Sequence, residues 1–235
     1  MPKTTKELFA DYTASRVNAI RNNPLCERKL SSCPDVLSAC QNVYDSGIIF
    51  AQGGAAAKRK GTPCVNEILN DIATRIYNYL SNPDNSQISM EEFDVFHNRL
   101  CSDFLYALNK ARASVGYVEL HYGSAQKFIN MAFKYLSCYS DFHLYKDYFK
   151  WCHMPIDTVI LKWIKDNYNI GDIEYYVYVD KKGKSTLSAT YKNTSWTKFD
   201  VDKYKKLLNI IREKVLNDDR FSRLSLLDAE FAAWE

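Results

Sequence analysis

Apolar side chains recur at steps of three and four residues through most of the chain, which is the pattern of amphipathic helices. The pattern is clear after Val65, where Ile68, Ile72 and Ile76 fall on one helix face. Clusters of asparagine, proline and glycine separate the periodic segments. The sequence therefore predicts helices over about residues 5–22, 34–47, 65–80, 89–113, 124–136, 157–168, 201–216 and 220–234.

Three of these predicted helices start at a recognisable cap. Ser89 is followed three residues later by Glu92, which is the spacing of a capping box. Ser124 and Asp157 are also residue types that cap helix N-termini.

One region alternates as β-strands do. Residues 173–179 and 185–191 are rich in tyrosine, valine and threonine, and the segment between them contains Gly183. We expect a mainly α fold with one added β-hairpin over residues 173–191. The lysines near Gly183 either follow a phosphate backbone or protect an edge hairpin from aggregation.

The length of 235 residues and the hydrophobic content of 46% are enough for one globular unit with a sizeable core. Two helical lobes with a cleft between them are the alternative. No apolar run approaches the roughly 20 residues that span a bilayer, and the N-terminal residues lead into an amphipathic pattern. We therefore expect a cytoplasmic protein with no membrane partner.

The seven cysteines are odd in number, scattered, and include no C-x-x-C pair. Neither a disulfide framework nor a zinc ribbon is indicated. Cys26, Cys33 and Cys40 are evenly spaced, but a seven-residue step equally places side chains on one helix face, and Pro34 interrupts it. We expect no metal site and mostly reduced thiols.

The net charge of +3 permits nucleic-acid binding without requiring it, so the distribution of cations matters more. The segment from Gln52 to Pro63 combines small residues with three adjacent cations, Lys58, Arg59 and Lys60. This composition suits a loop that passes close to a phosphate backbone, and it equally suits a solvated linker.

Lys127 and Asp157 are the candidate catalytic residues. Lys127 falls in the first turn of the helix predicted from Ser124, where the helix dipole disfavours a cation. Asp157 begins its own predicted helix, where an acidic cap is ordinary.

Together the two segments resemble the active-site signature of the helix-hairpin-helix DNA glycosylases. Gly123, Lys127 and Asn130 match the family's hairpin glycine, catalytic lysine and following asparagine, and Ile156-Asp157-Thr158 matches its Val-Asp-Thr. The spacing is nearest to the archaeal 8-oxoguanine glycosylase branch. The resemblance implies a helical glycosylase-like fold, with a degenerate helix-hairpin-helix and catalytic segment over about residues 104–168.

The chain departs from the family in two places. Leu120-His121-Tyr122-Gly123 replaces the usual Leu-Pro-Gly-Val-Gly of the hairpin. The four-cysteine pattern of an iron–sulfur cluster is missing, so we expect no cluster and no cofactor.

The resemblance implies a glycosylase that flips a damaged or modified base out of double-stranded DNA and excises it. Lys127 would attack the sugar and form a Schiff base, which adds β-lyase activity, while Asp157 stabilises the charge on the sugar or orients the nucleophile. The excised base would be 8-oxoguanine or a modified phage cytosine. We expect the protein to act as a monomer.

Further candidate site residues fall into two groups. For DNA contact the candidates are Gly123, Ser124, Lys134, Lys58, Arg59 and Lys60. For the base pocket they are Gln52, Phe128, His153 and Trp151. Some of these residues also have a structural interpretation: Lys134 as a solvated side chain, His153 as a loop histidine bonded to backbone, and the aromatic residues as core.

Two other functions remain open at this point. The protein could bind nucleic acid or another protein without catalysis, for example in phage defence or counter-defence, or it could be a helical scaffold whose aromatic residues fill the core. The glycosylase hypothesis predicts Lys127 and Asp157 across one cleft. The non-catalytic binding hypothesis predicts that they point apart or lie buried in unrelated contacts. The scaffold hypothesis predicts that DNA binds only weakly and loses affinity steeply with salt.

Overall fold

A computed structural model describes residues 28–47, 62–179, 185–222 and 224–230 of the protein. The prediction of a mainly α fold is confirmed, with seven α-helices and three strands in this part of the chain. They are, in order, α1 (Cys33–Ser46), α2 (Val65–Ser81), α3 (Met90–Ala113), α4 (Tyr122–Leu136), α5 (Thr158–Tyr168), β1 (Ile173–Val179), β2 (Ser185–Tyr191), β3 (Thr194–Ser195), α6 (Val201–Leu216) and α7 (Leu226–Glu230). The helix predicted over 5–22 lies outside the described residues.

Local side-chain chemistry sets several helix ends. The hydroxyl of Ser89 accepts a hydrogen bond from the backbone N–H of Glu92, and the Glu92 carboxylate accepts one from the N–H of Ser89. This capping box begins α3 as predicted. Helix α1 ends at Gly47, whose φ of 71° lies in the left-handed region that favours glycine.

Helix α4 runs through the core. Every residue from Tyr122 to Phe133 is buried, because α1, α3, α6 and the short 3-10 helix Trp196–Lys198 all pack against α4. The closest approach is at Gly123, where a Cβ atom would lie only 1.7 Å from the carbonyl oxygen of Trp196. The buried apolar side chains of the described residues form one continuous cluster around this helix.

The predicted hairpin is confirmed, with Ile173 paired to Tyr191 and Val179 to Ser185 in antiparallel register. Strand β3 pairs with β2 on the other side, which leaves β1 at an edge. Helix α5 packs against β1 and β2. The hairpin and α5 are therefore parts of one local assembly.

Two predicted helix starts are wrong. Helix α4 begins at Tyr122 behind His121, so Ser124 lies inside the helix and does not cap it. The start is fixed instead by backbone packing, since the N–H of Gly123 donates to the carbonyl of Phe199. The last helix begins at Leu226 and not near residue 220, because Ser225 and Asp228 accept hydrogen bonds from each other's backbone N–H.

No helix in the described ranges is long and apolar enough to cross a membrane.

Candidate active site

Lys127 and Asp157 meet in the structure although they are 30 residues apart in the chain. The Lys127 Nζ atom lies 2.5 Å from Asp157 Oδ2. The side chains are 4% and 13% exposed, so this ion pair is almost fully shielded from solvent. Because α4 begins at Tyr122, Lys127 stands in its second turn and not in the first turn that the sequence predicted.

Asp157 is held by the helix that it begins. Its Oδ1 atom accepts hydrogen bonds from the backbone N–H groups of Val159 and Ile160, at 2.9 and 3.0 Å. The predicted N-cap is thus confirmed, and it leaves Oδ2 directed at Lys127. The carboxylate faces three donors and the positive end of the α5 dipole, which suits a negative charge.

Gln126, the residue before Lys127, holds the residue before Asp157. Its Nε2 atom donates to the carbonyl of Ile156 at 2.7 Å, and its Oε1 atom accepts from the N–H of Ile156 at 3.1 Å. Nε2 also donates to the carbonyl of Gly123 at 2.9 Å. The fully buried side-chain amide therefore makes a two-point clamp on a single backbone residue.

Asn130 extends this polar cluster one turn further along α4. Its Nδ2 atom lies 3.0 Å from Gln126 Oε1, 3.1 Å from the carbonyl oxygen of Met154 and 3.2 Å from the hydroxyl of Tyr204, so its two hydrogens are shared among three acceptors. Its Oδ1 atom lies 2.7 Å from Nε2 of His97. Burial drives the pKa of His97 well below its ordinary value, so this imidazole is neutral near pH 7.

His153 joins the cluster to an ion pair between α3 and α6. Its Nδ1 atom lies 2.9 Å from the Tyr204 hydroxyl, and its Nε2 atom lies 2.8 Å from Asp94 Oδ1. Arg212 binds both oxygens of Asp94 at 2.6 Å. Although burial raises the pKa of Asp94, hydrogen bonds from Arg212 and His153 hold it well below the usual range, and burial lowers the pKa of His153.

Three other residues predicted for DNA contact are described by the structure, and each is engaged elsewhere than at the Lys127–Asp157 pair. Gly123 and Ser124 are buried, and the N–H of Gly123 is used by Phe199. The interpretation of Lys134 as solvated is wrong, since its Nζ atom lies 2.8 Å from the fully buried Glu230 carboxylate. Lys58, Arg59 and Lys60 lie outside the described residues.

Three of the predicted base-pocket residues are described by the structure, and none of these three forms a hydrogen bond with Lys127 or Asp157. Phe128 is buried and stacks on Phe104, with ring centroids 4.0 Å apart. His153 bonds to side chains and not to backbone, as described above. Trp151 donates to the carbonyl of Ile88 and lines a cavity of about 330 Å³ whose walls include neither Lys127 nor Asp157. Gln52 lies outside the described residues.

Sequence reasoning missed the polar residues that support the pair. They are Asp94, His97, Gln126, Tyr204 and Arg212. A signal existed for Gln126 and Asn130, which stand four residues apart on a helix that is otherwise apolar on that side. Nothing local indicates the Asp94–Arg212 pair, whose members are 118 residues apart.

Six cysteines in the described part of the chain carry free thiols. Within the same ranges, no three His, Cys, Asp or Glu side chains are grouped to hold a metal ion. Comparisons with protein-family models, with curated proteins and with solved structures find no match to this chain.

Proposed function

We propose that the protein is a DNA glycosylase with abasic-site lyase activity, in which Lys127 is the nucleophile and Asp157 its carboxylate partner. The single observation that carries the proposal is the 2.5 Å contact between Lys127 Nζ and Asp157 Oδ2. The two segments that resemble the glycosylase signature thus supply one amine and one carboxylate to the same point. The proposal includes a glycosylase-like arrangement of residues 104–168 with an added hairpin.

The pair has the groups that Schiff-base chemistry needs. Asp157 Oδ2 is placed to take a proton from Nζ, which frees the amine lone pair to attack C1′ of the sugar. At an abasic site the attack forms a carbinolamine, and loss of water gives a protonated imine. Loss of a C2′ proton and departure of the 3′ phosphate then complete β-elimination. No cofactor takes part in these steps.

Substrate can reach the amine only after the pair opens. Lys127 is 4% exposed and its partner 13%, so the 2.5 Å contact has to separate before a sugar can enter. Asp157 caps the N-terminus of α5, and the Ile156 backbone before it is held to α4 by Gln126. Rotation of the Lys127 side chain away from Asp157 opens the pair and leaves this backbone contact in place.

The proposed substrate is cytoplasmic double-stranded DNA bound by a monomer. The target is a damaged or modified base, either 8-oxoguanine or a modified phage cytosine. Lys58, Arg59 and Lys60 remain the candidate phosphate contacts, because three adjacent cations attract the backbone through a salt-dependent interaction.

Borohydride trapping on duplex DNA with one abasic site tests the proposal. We expect the wild type to form a covalent adduct and Lys127→Gln to form none. Lys165→Gln is the matched control, since Lys165 is a half-buried lysine on α5 whose amine donates to the carbonyl of Ile170. Equal adduct yields from wild type and Lys127→Gln would remove Lys127 as the nucleophile.

One observation favours a second function. The Lys127–Asp157 ion pair is buried, and the polar groups next to it have their hydrogen bonds made within the protein. Such a pair can simply join α4 to α5 in a protein that binds nucleic acid or protein without catalysis, as in phage defence or counter-defence. In that case no adduct forms with any variant, and Lys127→Gln affects the free energy of unfolding alone.

A further inference from the structure

The side-chain amide of Gln126 fits in only one orientation of its oxygen and nitrogen atoms, and its hydrogen bonds to the backbone fix that orientation. Nε2 lies 2.9 Å from the carbonyl oxygen of Gly123 and 2.7 Å from that of Ile156, and both of these atoms only accept. Oε1 lies 3.1 Å from the N–H of Ile156, which only donates. A reversed amide would place its oxygen against two carbonyl oxygens. The side chain therefore has one allowed orientation.

Asn130 reinforces the same orientation from the other side. Its Nδ2 atom lies 3.0 Å from Gln126 Oε1 and donates to it. Asn130 is itself held by Met154, by the Tyr204 hydroxyl and by His97. All of these groups are buried, and a buried amide network with every member bonded is rigid.

The clamp lies one residue away from the ion pair on both chain segments. Gln126 precedes Lys127 on α4, and Ile156 precedes Asp157 at the start of α5. Two hydrogen bonds fix the peptide groups on either side of Ile156. The peptide group that contains the Ile156 carbonyl is bonded directly to the Asp157 Cα atom. The clamp thus sets how far the carboxylate stands from the amine.

We infer that Gln126 is a positioning residue, which holds the Ile156 backbone so that the Asp157 carboxylate faces the Lys127 amine. The inference rests on the proposed function for its kinetic consequence. Gln126 touches neither the substrate nor the reacting atoms. Loss of the clamp lets the carboxylate move relative to the amine, and misplacement by about 1 Å can cost on the order of a hundredfold in rate.

Gln126→Met is the direct test, since methionine keeps the length of the side chain and removes both amide groups. Asn109→Leu is a matched control within the same protein. The Asn109 amide makes an equivalent clamp, donating to the carbonyl of Leu120 and accepting from its N–H, both at 2.9 Å, with no contact to the ion pair. Both variants lose a two-point backbone clamp, so stability alone does not separate them.

Two readouts are compared across wild type, Gln126→Met and Asn109→Leu. The first is borohydride trapping on abasic duplex, from which we obtain the rate at saturating DNA and the DNA concentration that gives half of that rate. The other is the ¹⁵Nζ resonance of Lys127, measured by NMR on the full chain without DNA. We expect Gln126→Met to lower the saturated rate by about tenfold to a hundredfold, with the half-saturating concentration changed less than about twofold.

We also expect Gln126→Met to shift or broaden the Lys127 ¹⁵Nζ resonance, whereas Asn109→Leu leaves the resonance and the rate as in the wild type. Equal effects of the two variants on both readouts would overturn the positioning role. If the wild type traps no DNA, the proposed function fails, and the NMR comparison alone decides whether Gln126 positions the pair.

Gln126→Glu covers the case in which the methionine variant does not fold. An ionised carboxylate can accept from Ile156 but cannot donate to either carbonyl, while the protonated acid donates once. The trapping rate of Gln126→Glu relative to wild type should therefore rise as the pH falls. A ratio that does not change with pH would contradict the clamp.

Discussion

The imidazole rings of His97 and His153 lie with their centroids 4.1 Å apart, and both are buried. His97 faces Asn130 from α3, and His153 stands between Asp94, Arg212 and the Tyr204 hydroxyl. Protonation of both imidazoles would place two positive charges side by side in a buried site. The polar cluster next to the candidate active site is therefore most stable with neutral histidines.

Stability should fall as the pH drops below about 6.5, the ordinary pKa of histidine. Burial lowers the pKa of His97 and His153 in the folded state, so between the folded and unfolded pKa values the unfolded chain binds more protons. The free energy of unfolding then decreases by about 1.4 kcal/mol per pH unit for each histidine. Below pH 4 the depressed pKa of Asp94 adds a loss of the same sign.

Urea unfolding from pH 7.5 to 5 measures this slope. His153→Gln should reduce it, whereas His143→Gln, at an exposed position, should leave it as in the wild type. A free energy of unfolding that stays constant over this range would contradict the neutral state of the cluster.

Gly123→Ala should be strongly destabilising, because the added methyl group would lie 1.7 Å from a backbone oxygen of Trp196. Relief requires the 3-10 helix to move away from α4, and overpacking of this kind costs about 1–3 kcal/mol, with the upper end expected for so close an approach. Gly171→Ala is the control, since a Cβ atom there has nothing within 4 Å. Thermal unfolding of both variants checks the difference. Similar melting temperatures would show that the approach of Trp196 to α4 is looser than described.

Much of the fold could be predicted from sequence because its signals are local. The Ser89–Glu92 capping box, the Asp157 cap and the 173–191 hairpin each depend on residues close in the chain, and each is confirmed. The start of α4 was missed because it depends on packing against Phe199. No residue close to Tyr122 in the sequence indicates this contact.

The candidate site was predictable only in part, for the same physical reason. The family resemblance drew attention to Lys127 and Asp157, and the structure brings them into contact. Lys134 has a partner 96 residues away, Glu230, which periodicity could not supply. The anchors of the polar cluster come from α3 and α6, so their roles depend on how distant helices pack.

Asp157→Asn separates the charge of this residue from its role as a cap. Asparagine caps helices about as well as aspartate, so α5 should still form, but the buried Lys127 loses its counter-ion. Removing one partner of a buried ion pair costs on the order of 3 kcal/mol, and the trapping rate should fall with it. Asp200→Asn is the control, because Asp200 caps α6 through Lys203 N–H and should change stability by less than about 1 kcal/mol. Equal losses in the two variants would mean that the charge on Asp157 does not hold the pair.

The position of the covalent adduct tests the central claim most directly. After borohydride trapping on abasic duplex, the protein is digested and the peptide that carries the DNA remnant is identified by mass spectrometry. We predict that the remnant is attached to the Lys127 side chain, the amine that faces Asp157 at 2.5 Å. Attachment to another lysine or to the N-terminal amine, with Lys127 unmodified, would contradict the proposed role of the pair.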